Sequence, residues 1–396
     1  MNRRILALLL ALVMVAGLMT GCASGKQEAA APETAQPESP AVEETAAEPE
    51  QTEESPAEEE APAEPETVSF TDSLGRTVEL PADITRIAPS GAVATMILAA
   101  IAPECMVTIN TAPSESQMAF LPANLAALPE TGQMYGSKAD LNLETLLAAD
   151  PQVVIDLGDK KGDMTEDLDA LQEQIGIPVV FIEADLAHMA AAFRTLGGLL
   201  SGKSDRGEEL AALVDRTTAI AEENAAKITD NMRVRAMYTT GEDGLGTNAA
   251  GSMQAQVLDM VGVENAVVVE DVSNKGGGNI ISLEQLYNFD PDVILFADGS
   301  IYSTVTDDSA WSQLTAISTG KYYEVPGSPY NWLSGPPSMN MILGVWWLGN
   351  LIYPEIYDYD METMTQELYK TLWGYELSSE EVTALLGNST LKAAAQ

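Results

Sequence analysis

Positive charge is scarce in this chain. Its 396 residues hold 19 Lys and Arg against 60 Asp and Glu, a formal net charge of −41. Neutralising phosphates takes clustered Lys and Arg, so a nucleic-acid partner is excluded. Cysteine is scarcer still: Cys22 and Cys105 build neither a disulfide scaffold nor a Cys-rich metal site. The single histidine, His188, rules out a multi-histidine zinc site and leaves any Ser-His triad one candidate base. It falls in an Ala-rich stretch, where a helix-surface position is expected. Cys105 reads as a small buried hydrophobe. Gly241, Gly244 and Gly246 lack the spacing of a dinucleotide fingerprint. No nucleophile and base stand at recognisable spacing, so no catalytic residue and no cofactor are assigned, and an enzyme is not expected. Aromatic residues make up only 6%, but the apolar share of 46% is enough for a core, and the length suggests roughly two or three domains.

The N-terminus reads as an export address. Arg3 and Arg4 precede an apolar run over residues 5–19, shorter than the ~20 residues a membrane-spanning helix needs. The run closes on Leu18-Met19-Thr20-Gly21-Cys22, which resembles the lipobox of bacterial lipoproteins, with Met19 where Leu is commoner. The resemblance implies that residues 1–21 are removed and that Cys22 is lipidated, anchoring the protein to the outer face of the cell membrane. Residues 22–67 are almost wholly Ala, Pro, Glu and Thr, a composition that cannot bury enough apolar area to fold. They are expected to form a self-repelling tether. Residues 68–396 still carry 46 acidic against 16 basic side chains, so the acidity extends to the folded part, where it makes a solubilising surface.

The informative feature is an internal repeat. The stretch beginning Leu143-Glu144-Thr145-Leu146-Leu147 and ending Asp150-Pro151-Gln152-Val153-Val154-Ile155 aligns with Leu283-Glu284-Gln285-Leu286-Tyr287 and Asp290-Pro291-Asp292-Val293-Ile294-Leu295. Each copy places a Glu at the start of a short helix, where the macrodipole favours it. Asp-Pro then stops the helix, and an apolar run follows, as in a buried parallel strand. Strands are expected at 84–88, 106–109, 153–157 and 179–182, and again at 234–238, 267–269, 293–296 and 322–325. Helices are expected over 186–200 and 205–228. The grammar is α/β, occurring twice: two βαβ lobes with parallel, Rossmann-like sheets, over 68–184 and 230–396, joined by a helical linker over 185–229. The long helix at its centre limits how far the lobes swing.

In its order of motifs the chain resembles the substrate-binding lipoproteins of ABC importers that carry ferric siderophores, haem, cobalamin and related metal complexes. The carriers of this resemblance are Thr71-Asp72-Ser73-Leu74-Gly75-Arg76 through Pro81, the two Leu-Glu…Asp-Pro units, and Trp346-Trp347-Leu348-Gly349-Asn350 through Pro354. The resemblance implies two lobes bridged by a rigid helix, one ligand in the cleft, and one Glu per lobe docking on arginines of the membrane permease. Glu144 and Glu284 occupy those positions. It also implies an ATPase behind the permease, a monomeric receptor and no catalytic role.

Ligands of open α/β sheets sit beyond the carboxyl ends of the strands. The loops expected there offer Ser90, Thr240, Asn248 and Asn279. Tyr135, Tyr302, Tyr330 and Trp332 suit stacking on a bulky organic ligand. Lys138, Lys160, Lys161 and Lys275 suit an anion, and the absence of Arg from these loops argues against bidentate carboxylate recognition. The expectation is a receptor for an iron–siderophore, haem or corrinoid complex. A metal oxyanion on the same fold is the alternative, and an extracytoplasmic enzyme or a structural surface lipoprotein are the readings of another class.

Overall fold

The computed structural model describes residues 67–390, apart from 136–138, 163 and 275–276. The chain enters through an antiparallel hairpin, β1 (Thr67–Thr71) and β2 (Thr77–Pro81). Arg76 fixes its turn to the first sheet, bonding Asp72 at 2.9 Å and the Val179 carbonyl at 3.1 Å.

Next come β3 (Ile87–Pro89), α1 (Ala92–Ile101), α2 (Glu115–Met118), α3 (Leu143–Ala148), β4 (Val153–Gly158), α4 (Met164–Ile175) and β5 (Val179–Glu183). The strands β3, β4 and β5 form a wholly parallel sheet with β4 at its centre. Side chains alternate across it, as the period of two requires. Val153, Ile155 and Leu157 enter the main core, whereas Ala88, Val154 and Phe181 face a smaller cluster with Leu146 and Leu168. Both faces are covered, which explains why β4 reads as an unbroken apolar run.

The connecting helices are α5 (Met189–Leu199) and α6 (Ser204–Ala225). At 1.5 Å per residue the 22 residues of α6 span about 33 Å. It packs on α5 and α1 and also on α7 (Gln256–Met260) and on α10 (Met341–Ile352) and α11 (Met361–Trp373) of the second half. Glycine makes the α5–α6 contact possible. A Cβ on Gly207 would lie 2.6 Å from the Phe193 carbonyl oxygen and 2.7 Å from the Gly197 Cα. Arg206 of α6 donates to the carbonyls of Ala100 in α1 and Thr371 in α11, holding C-terminal turns from both halves.

The second half continues with β6 (Arg235–Thr240), β7 (Gly246–Thr247), β8 (Glu264–Asn265), β9 (Asn279–Ile280), α8 (Leu283–Phe289), β10 (Val293–Phe296), α9 (Thr315–Ser318) and β11 (Tyr322–Glu324). Its sheet runs β11-β10-β6-β7-β9, with β8 on the same edge of β6 as β7. The β10, β6, β11 and β8 pairings are parallel, and those of β7 are antiparallel. After α10 and α11, α12 (Ser379–Leu386) closes the described chain. The fold is mixed α/β, as the sequence implies. No helix among the described residues is long and apolar enough to cross a membrane.

Two expected strands are absent. Residues 106–109 make only isolated bridges, Met106 to Ile87 and Ile109 to Glu130. Residues 267–269 leave the sheet because the Asn265 side chain takes the Val267 N–H at 2.9 Å, while its own amide donates to the Asn248 carbonyl. A local side-chain bond here replaces the ladder. The long helix begins one residue before its expected start and ends three before its expected end.

The repeat survives in atomic detail. Asp150 and Asp290, the residues before the two prolines, are the only non-glycine residues described with positive φ, at 50° and 31°. The following Pro disfavours the right-handed helical region, and Asp tolerates the left-handed one. Arg86 donates to the carbonyls of Ala149 and Asp150, and Arg235 donates to that of Phe289. Each arginine therefore binds the C-terminal end of its own repeat helix.

Candidate functional site

The carboxyl ends of β3 and β4 open on a cavity of about 250 Å³. One wall comes from the first half: Ser90, the start of α1, Gln133, Tyr135, Asp156, Asp159 and Lys161. The other comes from the second half: Met253, Gln254, Asn274 and residues 334–337. A second chamber of about 230 Å³ shares Ala92, Gly335 and Pro336 with the first and is bordered by Asn110 and Tyr330.

The polar centre of the first chamber follows from strand register. Ser90 extends the ladder one residue past β3, its N–H donating to the Ile155 carbonyl at 3.1 Å. This sets its hydroxyl beside Asp156, to whose Oδ1 it donates. Asp156 is buried, and its Oδ2 has no hydrogen-bond partner among the described residues. Burial lifts the carboxyl to about 6, against the opposing pull of the Ser90 bond and of Lys161. The Tyr135 hydroxyl likewise lacks a partner among the described residues. Burial, then the charges of Asp156 and Asp167, push its pKa well above the ordinary tyrosine value. Lys161 places its ammonium 5.5 Å from the Tyr135 ring centre and 3.8 Å from Asp159.

α1 delivers the other polar element. Its N-cap is Gly91, which supplies no side-chain cap, and its first turn holds no acid. The free first-turn amides and the positive end of the helix dipole therefore face the chamber with no acid or side-chain cap from their own helix.

Of the residues expected from sequence at the cleft, Ser90 and Tyr135 border the first chamber and Tyr330 the second. Lys161 borders the first chamber, whereas Lys160 is exposed and lines neither. Thr240 ends β6, paired with Gly246. Asn248 is buried just after β7, its carbonyl taking the Asn265 amide. Asn279 braces its own loop through the Ser273 N–H and the Asp271 carbonyl. Tyr302 packs against Phe296 and Tyr322 at 5.9 and 5.7 Å. Trp332 is completely buried in the main core. Lys138, Lys275 and Cys22 lie outside the described residues. Glu144 and Glu284 are exposed in the first turns of α3 and α8. His188 caps α5 from a half-exposed position, and its ring Nδ1 lies 2.6 Å from Asp185. Cys105 is buried with a free thiol.

Asp156, Gln254 and Asn274 were not singled out from sequence. For Asp156 a signal exists: it is the one charge inside the apolar run Val153-Val154-Ile155-Asp156-Leu157. A carboxylate buried in a parallel strand needs a local reason.

Known proteins place this architecture. The family described as periplasmic binding protein matches residues 94–329, more than half of the chain. No curated protein matches the chain at significance. Among solved structures, an ABC transporter solute binding protein from Sulfurospirillum deleyianum is similar with a TM-score of 0.74 and 28% identity, covering 81% of this chain and 99% of that one. A periplasmic solute binding protein from Veillonella parvula follows with a TM-score of 0.68 and 23% identity, covering 82% and 98%. The molybdate periplasmic binding protein of Haemophilus influenzae, in its molybdate-bound form, has a TM-score of 0.64 and 20% identity, covering 78% and 99%. The last two likenesses concern the fold alone. The chain belongs to the periplasmic binding protein family, whose members are the two-lobed solute-binding components of ABC transporters.

Proposed function

We propose that this protein is an extracytoplasmic receptor, tethered to the cell membrane through a lipidated Cys22, that captures a small metal-containing solute and hands it to an ABC permease with its ATPase. The observation that carries this reading is the chamber walled by the carboxyl ends of the first sheet on one side and by loops of the second half on the other. A ligand held there bridges residues 68–184 and 230–396, which we take as the two lobes, with α6 restraining their relative motion. The receptor acts as a monomer, and binding without turnover is its role.

The chamber of about 250 Å³ and the adjoining one of about 230 Å³ have room for a compact solute. Of the aromatic residues suited to stacking, Trp332 is buried in the main core and Tyr302 packs, partly buried, against the second-half cluster. A metal oxyanion, such as the molybdate named for the Haemophilus protein, or a small metal chelate fits this volume.

Delivery is assigned to Glu144 and Glu284. They stand at equivalent places in the two copies of the repeat, one on each half, and both are exposed. Such a pair suits a partner with two equivalent basic sites. The reading is tested by thermal shift across oxyanions and metal chelates, together with the mass and visible spectrum of whatever co-purifies. A bound ligand at a hundredfold excess over Kd stabilises by about 2.7 kcal/mol. Exchanging both glutamates for arginine, Glu144→Arg with Glu284→Arg, is expected to abolish uptake and leave ligand affinity unchanged. Uptake persisting in the double variant refutes the docking assignment.

A further inference from the structure

One wall of the first chamber presents hydrogen-bond donors. α1 runs for ten residues from an uncapped, acid-free first turn, and residues 91–94 line the space. Tyr135 borders the same chamber, and its buried hydroxyl has no partner among the described residues. Lys161 adds positive charge from the loop after β4, with Asp159 3.8 Å from its ammonium. Together these favour an anion, and a cation would meet the positive end of α1 and the Lys161 ammonium.

Asp156 stands against that trend. It is 5% exposed and borders the chamber, with Oδ1 engaged by the Ser90 hydroxyl and Oδ2 unpartnered among the described residues. An ionised Oδ2 repels an anion, but a protonated one becomes a donor. Because Oδ1 already accepts from Ser90, Oδ2 is the oxygen that carries the proton. Burial has already raised this carboxyl to about 6, so its acid form is accessible near neutrality. The other ionisable groups bordering the chamber among the described residues are Asp159 and Lys161, from the loop after β4, and Tyr135, from the segment before α3. α1 and the second-half loops present none there.

We propose that the chamber binds a small tetrahedral oxyanion with Asp156 in its acid form, Ser90 holding Oδ1 and the Oδ2–H donating to an anion oxygen. A fully ionised anion then binds with uptake of one proton from solvent. That proton resides on Asp156 Oδ2, and no covalent bond of the anion changes. This inference rests on the solute-binding reading above and narrows the ligand class within it.

The test is calorimetric titration of the purified protein with sulfate, molybdate and tungstate, each fully ionised across the range, at about pH 6.5 and about pH 8.5. Two buffers of different ionisation enthalpy report the protons exchanged. At least one anion is expected to bind, about 100-fold more weakly at the higher pH, with close to one proton taken up there. Asp156→Asn retains an acceptor for Ser90 and puts an N–H donor in place of Oδ2. Its affinity for the same anion is expected to be independent of pH. If that variant does not fold, Ser90→Ala replaces it. By removing the bond that lowers the carboxyl's pKa, it is expected to displace the loss of affinity to higher pH.

The inference is overturned if none of the three anions binds at either pH, if affinity is equal at both, or if Asp156→Asn keeps the wild-type pH slope; an unmoved slope in Ser90→Ala has the same force. A protein that binds a different co-purified solute but ignores all three anions overturns this inference and leaves the solute-binding reading standing. A protein stabilised by no solute of either panel removes both.

Discussion

The two sheets carry the same register at their carboxyl ends and opposite chemistry. In the first, Ile87 pairs with Val153, which sets Ser90 opposite Asp156. In the second, Ala236 pairs with Val293, which sets Thr239 opposite Phe296. One copy has a hydroxyl and a carboxyl facing a chamber. The other has Thr239 and a fully buried ring that touches Tyr302, Tyr322 and Trp311 at 5.9, 6.4 and 5.5 Å. Every ionisable side chain described at the first chamber belongs to the first half, and the second half contributes neutral groups. The supporting frame is present in duplicate while the strand ends differ, one bordering a chamber and one packed into the interior.

The largest effect is expected from giving the second sheet the first sheet's residue. Phe296→Asp places a carboxyl in an aromatic cluster without an ionic partner. It is expected to destabilise by about 4 kcal/mol or more, combining a lost core ring with an unpaired buried charge. Urea unfolding followed by tryptophan fluorescence measures it. A cost below about 1 kcal/mol would mean that this site is as tolerant of charge as its counterpart, and the contrast would fail.

Removing the charge from the first sheet is expected to stabilise. The Asp156 carboxyl is raised to about 6 in the folded protein against an ordinary value near 3.8. A raised acid binds its proton more tightly when folded, so stability falls as pH rises through this window, and the penalty is complete above about 6. Two pKa units correspond to about 3 kcal/mol as an upper figure. Asp156→Asn is therefore expected to gain on the order of 2 kcal/mol at pH 7 and almost nothing at about pH 3.5. Denaturant midpoints at the two pH values check it. An equal gain at both would assign the effect to packing rather than ionisation.

What sequence alone reveals follows the same division. The frame was legible because it is written in local physics: Glu at the helix start, Asp-Pro at its end, then an apolar strand, with 293–296 found as expected. The chamber was legible only in part. Loop composition singles out Ser90, Tyr135 and Tyr330, but it cannot tell a Trp332 that turns into the core from one that turns into a cleft. That choice is made by distant residues, including the α11 side chains of Tyr369 and Trp373 around the 330–332 segment. Asp156 was hidden by its apolar neighbours, and its significance appears only when register brings Ser90 beside it. The strand expected at 267–269 failed for a related reason, since Asn265 bonds to residues 248 and 267 and no periodicity encodes that.

The smallest effects probe the frame itself. Arg86 and Arg235 precede or open the first strand of the two central pairs, and each binds backbone carbonyls at the end of its repeat helix. Each also has its own N–H held by the side chain two residues after the repeat's Asp, Gln152 at 2.9 Å and Asp292 at 2.9 Å. The details differ: Arg86 reaches two carbonyls from an exposed position, whereas Arg235 reaches one and pairs with Glu264 at 3.5 Å. Surface ion pairs add little and charged hydrogen bonds somewhat more, so these differences largely offset one another. Arg86→Ala and Arg235→Ala are each expected to cost about 1 kcal/mol, agreeing within about 0.5 kcal/mol. Because the sites lie in different halves and share no partner, the double variant is expected to cost their sum. Matching costs would show that the duplication extends to energetics. If one arginine is dispensable while the other costs above about 2 kcal/mol, only the shape of the frame was conserved, and one half carries the stability of the pair.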